Sequence, residues 1–183
     1  MSTATLAGGC FWCLVKPFDQ WDGIKEIVSG YSNGDEENPS YELVSTGTTK
    51  HVEAVQIDFD ENVISYREIL EIFFKTFDPT DNGGQFGDRG PQYMPAIFYH
   101  NDEQKEIAES VINELEEKEV FNAPIITPVL PYKNFYPAEE EHQDFYKKNA
   151  GHYKAYYKGS GRQGFIENTW GNNNDKKNCR RTY

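Results

Sequence analysis

Apolar residues recur with two periods along the chain, and the periods sort it into strands and helices. In "HVEAVQIDFD" (51–60), Val55, Ile57 and Phe59 alternate with Gln56 and Asp58, the period of two expected of a half-buried strand. In "SYREILEIFFKTF" (65–77), Tyr66, Ile69, Leu70, Phe73 and Phe77 fall on one stripe of a helix. Thr3–Ala7, "IKEIVSGYS" (24–32), "MPAIFYH" (94–100) and "APIITPVLP" (123–131) read as further strands. A sharp turn at Gly8-Gly9 leads into a helix expected from Cys10 to about Gln20. Asn101 caps another, running to about Lys118, with Gln104 as its capping-box partner. "AEEEHQDFYKKN" (138–149) gives a last helix. Residues 33–50 and 78–92 carry Gly, Pro, Asn and Ser/Thr punctuation and read as loops, the second long enough to suggest a functional one. Strands alternating with helices predict a mixed α/β sandwich of one sheet and packed helices.

At 183 residues one domain is expected, spanning 1–171, with the polar stretch 172–183 as a mobile tail. Hydrophobic residues make up 37% and aromatics 15%, too much for a disordered chain. Acidic residues outnumber basic ones by 30 to 18, which argues against nucleic acid or an anionic membrane as partner. No apolar run is long enough to span a membrane, and "MSTATLAGG" lacks the positive start and apolar core of a secretory signal. Three cysteines are too few for a disulfide scaffold and fit a cytoplasmic chain with reduced thiols.

The chemistry concentrates at "AGGCFWCL" (7–14). At a helix start, the Cys10 sulfur would face unpaired N–H groups that favour a thiolate and lower its pKa toward neutrality. The glycines before it would leave room for a substrate. Cys13 follows three residues on, and such a pair has Cα atoms roughly 5 to 6 Å apart, inside the disulfide range. The alternative is a pair of buried structural cysteines. Zinc spacing is absent, with no second Cys-x-x-Cys and no His pair at i,i+4. Glu53 shares the core-facing side of its strand with Val55, Ile57 and Phe59. A carboxyl there is desolvated and could hold a proton near neutral pH, unless the strand end lets it reach water. Phe11 and Trp12 could wall a pocket beside Cys10. Tyr41 and Tyr93 sit at the edges of loops, and Asp88 lies within the long one.

"GGCFWC", "GY" (30–31), "NPSYELVSTGTTKHVEAV" (38–55), "DPTDNGGQFGDRGPQYMPAIF" (78–98) and "EEEHQDFYKKNAGHY" (139–153) together resemble the A-type peptide methionine sulfoxide reductases over about residues 4–170. That resemblance implies a ferredoxin-like α+β sandwich with long ordered loops. It implies thiol-dependent reduction of methionine-S-sulfoxide, free or in proteins, as repair after oxidative stress. Cys10 would be the nucleophile, Glu53 the acid that protonates the sulfoxide oxygen, and Tyr41 and Tyr93 hydroxyl donors to it. Phe11 and Trp12 would hold the substrate's ε-methyl group, with Asp88 also at the site. Neither metal nor other cofactor is implied; thioredoxin would be the reductant, and the chain a monomer. Many members place a resolving cysteine in a Gly-rich tail, whereas here Cys179 sits in "NDKKNCRRTY". Cys13 is favoured as the resolving thiol, with Cys179 a second resolving thiol or incidental. A general thiol–disulfide oxidoreductase and a non-enzymatic binding module are the rival classes.

Overall fold

The computed structural model describes residues 1–171. In chain order the strands are β1 (Ser2–Ala7), β2 (Ile24–Ser32), β3 (Val52–Phe59), β4 (Gly84–Gln85), β5 (Asp88–Arg89), β6 (Ala96–Tyr99), β7 (Val129–Pro131) and β8 (Phe135–Pro137). Six of them build one sheet in the order β7-β6-β1-β3-β2-β8, and β4 and β5 form a separate small hairpin. Within the sheet only β6 and β7 run parallel. The helices are α1 (Lys16–Asp19), α2 (Tyr41–Ser45), α3 (Tyr66–Phe73), α4 (Asp102–Glu117), α5 (Phe145–Lys148), α6 (Ala150–Gly159) and α7 (Arg162–Trp170).

Alternation works as the pattern predicts. Ala4 and Leu6 of β1, Val55, Ile57 and Phe59 of β3, and Ile97 of β6 face one way and are sealed by Phe18, Ile69, Leu70, Phe73, Ala108 and Val111 from the helices. Their neighbours Ala7, Ala54, Ala96 and Phe98 face the other way, against Leu130 and Phe135. Glu53 stands opposite Tyr31 in the β2–β3 register, so the strand pairing carries it to the helix-covered side.

Several elements differ from the sequence pattern. The helix expected from Cys10 breaks into a 3-10 turn at Phe11–Cys13 and the four-residue α1. Pro17 has no N–H to continue a helix from the preceding turn, so α1 starts afresh around it. α3 ends at Phe73 and finishes in tight turns through Thr76. The expected loop 33–50 contains α2, capped by the Ser40 side chain, which accepts from the Leu43 N–H. Asn101 caps α4 by accepting from Gln104 N–H, while the Gln104 side chain reaches past the cap to His100 N–H and Thr3 C=O. The strand expected over 123–131 shortens to β7, and the helix expected over 138–149 becomes a 3-10 turn at Glu140–His142 followed by α5. The periodicity gave no warning of α6 and α7.

Among the described residues no helix is long and apolar enough to cross a membrane. The tail expected over 172–183, with Cys179, lies outside the described residues.

Candidate active site

β1 delivers the chain to Gly8-Gly9, and the turn then presents Cys10. Gly9 has φ +87, and an added Cβ would strike the Gln85 side chain and the Arg162 guanidinium at 2.6 and 2.7 Å. The glycine therefore makes room for two buried protein side chains, where the sequence suggested room for substrate. Arg162 is 1% exposed and donates to the C=O of Thr76 at 2.7 Å and of Gly8 at 3.2 Å. Its guanidinium also stacks on the Phe86 ring at 4.9 Å. The turn is thus clamped from α7.

Cys10 and Cys13 are both free and buried, and the Cys13 N–H bonds back to the Cys10 C=O at 3.1 Å. A hydrogen bond links the two thiols, and it serves them unequally. Burial raises the Cys10 pKa well above the ordinary thiol value, reinforced by the Cys13 bond and by the charges of Glu53 and Asp88. Cys13 is lowered, because Cys10 donates to it and the Arg162 cation lies near; burial opposes this. The lowered pKa expected for Cys10 is therefore not found. A three-residue 3-10 turn offers little dipole, and burial beside two carboxyls outweighs it.

Glu53 stands as the strand pattern predicts. It is 1% exposed, and its Oε1 accepts from the Phe11 N–H at 3.2 Å. Burial pushes its pKa up to about 8, against the Phe11 bond and with help from Asp88. The carboxyl so holds a proton near neutral pH, with Oε2 available to carry it.

The tyrosines frame this pair. Burial raises both Tyr41 and Tyr93, and the charges of Glu53, Asp88 and Cys10 bear on both hydroxyls. Each therefore stays protonated as a donor. The Tyr41 ring packs on His142 at 4.4 Å between centroids, and its N–H binds Glu139, which also accepts from Tyr31. Asp88 lies on β5 with its pKa raised by burial, Arg162 pulling the other way, and Oδ2 is buried without a partner. Phe11 is wholly buried against Tyr31, Tyr41 and His142, so its ring supports the site from behind. Trp12 is half-buried and stacks on Phe145 at 3.8 Å with 8° between planes.

The structure thus brings together Cys10, Cys13, Glu53, Tyr41, Tyr93, Asp88, Phe11 and Trp12. Sequence reasoning missed His142, Glu139 and Arg162. His142 Nδ1 accepts from Trp12 Nε1 at 3.1 Å and so orients the indole. Its signal was the single histidine in an otherwise acidic "EEEH" run. Glu139, Glu141 and His142 offer ligand atoms within 4.8 Å of one another. With Nδ1 engaged by Trp12, however, the histidine carries its hydrogen on Nε2, 3.8 Å from Glu141 Oε1, and has no lone pair there for a metal.

The family model described as peptide methionine sulfoxide reductase matches residues 2–174. Peptide methionine sulfoxide reductase MsrA 2 of Staphylococcus aureus (strain NCTC 8325) is 61% identical over 171 residues, covering 93% of this chain and 97% of that one. MsrA of Bacillus subtilis (strain 168) is 56% identical over 168 residues, covering 92% and 95%. Among solved structures, reduced Mxr1 of Saccharomyces cerevisiae superposes with a TM-score of 0.76 at 34% identity, covering 81% of this chain and 86% of that one. Mxr1 in complex with Trx2 gives 0.55 at 25% identity, covering 79% and 84%. With the family model spanning every residue that builds the site, the chain belongs to the peptide methionine sulfoxide reductase family.

Proposed function

We propose that this protein reduces methionine-S-sulfoxide, free or in proteins, to methionine, with Cys10 as nucleophile and thioredoxin as the final reductant. One observation carries the mechanism: a buried carboxyl that holds a proton near neutral pH, fastened by Phe11 N–H beside a buried thiol. A sulfoxide oxygen leaves poorly unless protonated, so the acid belongs there. Glu53 Oε2–H gives its proton to that oxygen, with Tyr41 and Tyr93 donating hydrogen bonds. Cys10 attacks the sulfur and passes its own proton to Glu53. The hydroxyl then passes from the substrate sulfur to Cys10 Sγ as the substrate's S–O bond and the new S–S bond break, so methionine departs and Cys10 is left as a sulfenic acid. The half-exposed Trp12, held by His142 and Phe145, receives the substrate's ε-methyl group, with Phe11 behind the site and Asp88 at its rim.

Cys13 is the resolving thiol. It attacks the Cys10 sulfur, the hydroxyl leaves as water with the Cys13 proton, and a Cys10–Cys13 disulfide remains. Its lowered pKa supports this role, and Cys179 is then dispensable. Thioredoxin reduces the disulfide, as the complex of Mxr1 with Trx2 suggests by analogy. The order β6-β1-β3-β2 with antiparallel neighbours supports a ferredoxin-like core, taking those four strands as the βαββαβ set. Residues 1–171 act as one catalytic unit, as a monomer in the cytoplasm, in protein repair.

Incubation with each sulfoxide epimer and dithiothreitol or thioredoxin tests the proposal. Only the S epimer is consumed, and Cys10→Ser abolishes turnover. Equal turnover of both epimers, or activity in Cys10→Ser, overturns it.

A further inference from the structure

A groove of about 550 Å³ opens over Cys13 and shares no lining residue with the acid side of the site. Lys16, Lys75, Lys154 and Lys158 line it, Tyr153 and Cys13 belong to its wall, and no carboxylate does among the described residues. Lys16 Nζ lies 6.0 Å from the Tyr153 ring centroid. Lys154 and Lys158 are exposed along α6. The chain as a whole is strongly acidic, with 30 Asp and Glu against 18 Lys and Arg, four of which are these groove lysines. A concentration of cations on such a chain draws an acidic partner to one place and repels it from the rest. The tail beyond Gly171 is a poor occupant by charge, because it carries Lys176, Lys177, Arg180 and Arg181 against Asp175 alone.

We propose that the lysine-lined groove is the docking site of the reductant, an acidic-surfaced dithiol protein whose thiolate attacks Cys13, so that sulfoxide and reductant approach the thiol pair through different openings. The proposal rests on the reading that Cys13 resolves the sulfenic acid. Cys13 is 1% exposed and packs with Tyr153 and Phe145, so docking displaces the Tyr153 ring to reach sulfur. The partner's thiolate bonds to Cys13 Sγ, the Cys10–Cys13 bond breaks, and its electron pair leaves on Cys10, which takes a proton from Glu53. The partner's second thiol then attacks the mixed disulfide and releases Cys13 as a thiolate near Arg162. The partner departs with its own disulfide, oxidised by two electrons, and Glu53 regains its proton from solvent.

The test compares wild type with the double charge reversal Lys154→Glu/Lys158→Glu. First, one equivalent of methionine-S-sulfoxide is added without reductant and disulfides are mapped by mass. A Cys10–Cys13 bond upholds the reading beneath the proposal, and its absence overturns that reading and the proposal with it. An acidic thioredoxin is then the probe. Its KM rises by about tenfold in the double variant at low salt, while turnover with uncharged dithiothreitol is unchanged. An unchanged thioredoxin KM overturns the groove alone. Finally, a thioredoxin whose second active-site cysteine is replaced by serine traps the mixed disulfide. An adduct on Cys13 supports the proposal, and one on Cys10 or Cys179 overturns it.

Discussion

The two thiols of "CFWC" are three residues apart and live in opposite surroundings. On the Cys10 side stand a protonated carboxyl, a second carboxyl and two phenols, all buried or half-buried. On the Cys13 side stand a buried arginine and a groove lined with lysines. Burial alone would raise both thiol pKa values; the hydrogen bond from Cys10 to Cys13 drives the two apart, and the charges of Glu53 on Cys10 and of Arg162 on Cys13 widen the gap. Cys10 holds its proton well above the ordinary thiol range, and in the proposed mechanism it gives the proton up only when a sulfoxide receives one through Glu53. Cys13 gives its proton up more readily, which suits the resolving role proposed for it, attack on a sulfenic acid and later departure as a thiolate. One turn of chain therefore houses two different reactivities, set first by the bond between the thiols and then by what β3 and α7 bring beside them.

Removing one thiol has the largest effect. Cys13→Ser releases one equivalent of methionine at a near-normal rate, then loses about a hundredfold or more of steady-state turnover with thioredoxin. Unchanged turnover moves the resolving role to Cys179. On the acid side, Tyr41→Phe and Tyr93→Phe each slow single-turnover release by about tenfold, and the double variant loses more. On the cation side, Arg162→Gln makes Cys13 ionise at higher pH, read from the 13C shift of its Cβ, and slows disulfide formation about threefold to tenfold. Arg162→Lys restores part of both. A Cys13 titration indifferent to Arg162 shows that this cation does not lower the Cys13 pKa. The smallest effect is expected far from both sides: Asn101→Ala removes the α4 cap and costs about 1 kcal/mol in Tm-derived stability, with chemistry unchanged.

Stability against pH sharpens the same contrast. The folded pKa of Glu53 is about 8, above its ordinary value of 4.5, so the native state holds this proton more tightly than the unfolded chain does. Its stabilising contribution is full below about 4.5 and is lost as pH rises through about 8. Glu53→Gln is free of that loss. Its melting temperature gains on wild type across this window and the difference levels off above it, measured by calorimetry.

The legible parts of the sequence were those where one face decides. The alternation of β3 predicted a core-facing Glu53 and its raised pKa, because a two-residue period leaves no third direction for a side chain. The helix after Gly9 was misjudged, since the pattern of apolar residues from Phe11 to Phe18 continues across Pro17 although the backbone bonds cannot. With it went the expected lowering of the Cys10 pKa, a matter of tertiary burial that spacing does not report. Arg162 was out of reach. Amid "GSGRQG" it has the local appearance of a solvated residue, and only the packing of α7 under a turn 154 residues earlier buries it against Gly8 C=O. Likewise His142 gains meaning only from Trp12, which the fold brings to it across the length of the chain.

In the proposed reaction Glu53 supplies the proton that lets Cys10 take the sulfoxide oxygen. Single-turnover release of methionine, followed against pH in wild type and Glu53→Gln, tests it most directly. Wild type holds a level rate while the carboxyl keeps its proton and declines above about pH 8. Glu53→Gln is slower by about a hundredfold or more and lacks that decline. A near-wild-type rate in Glu53→Gln, or the same decline surviving the substitution, contradicts the account.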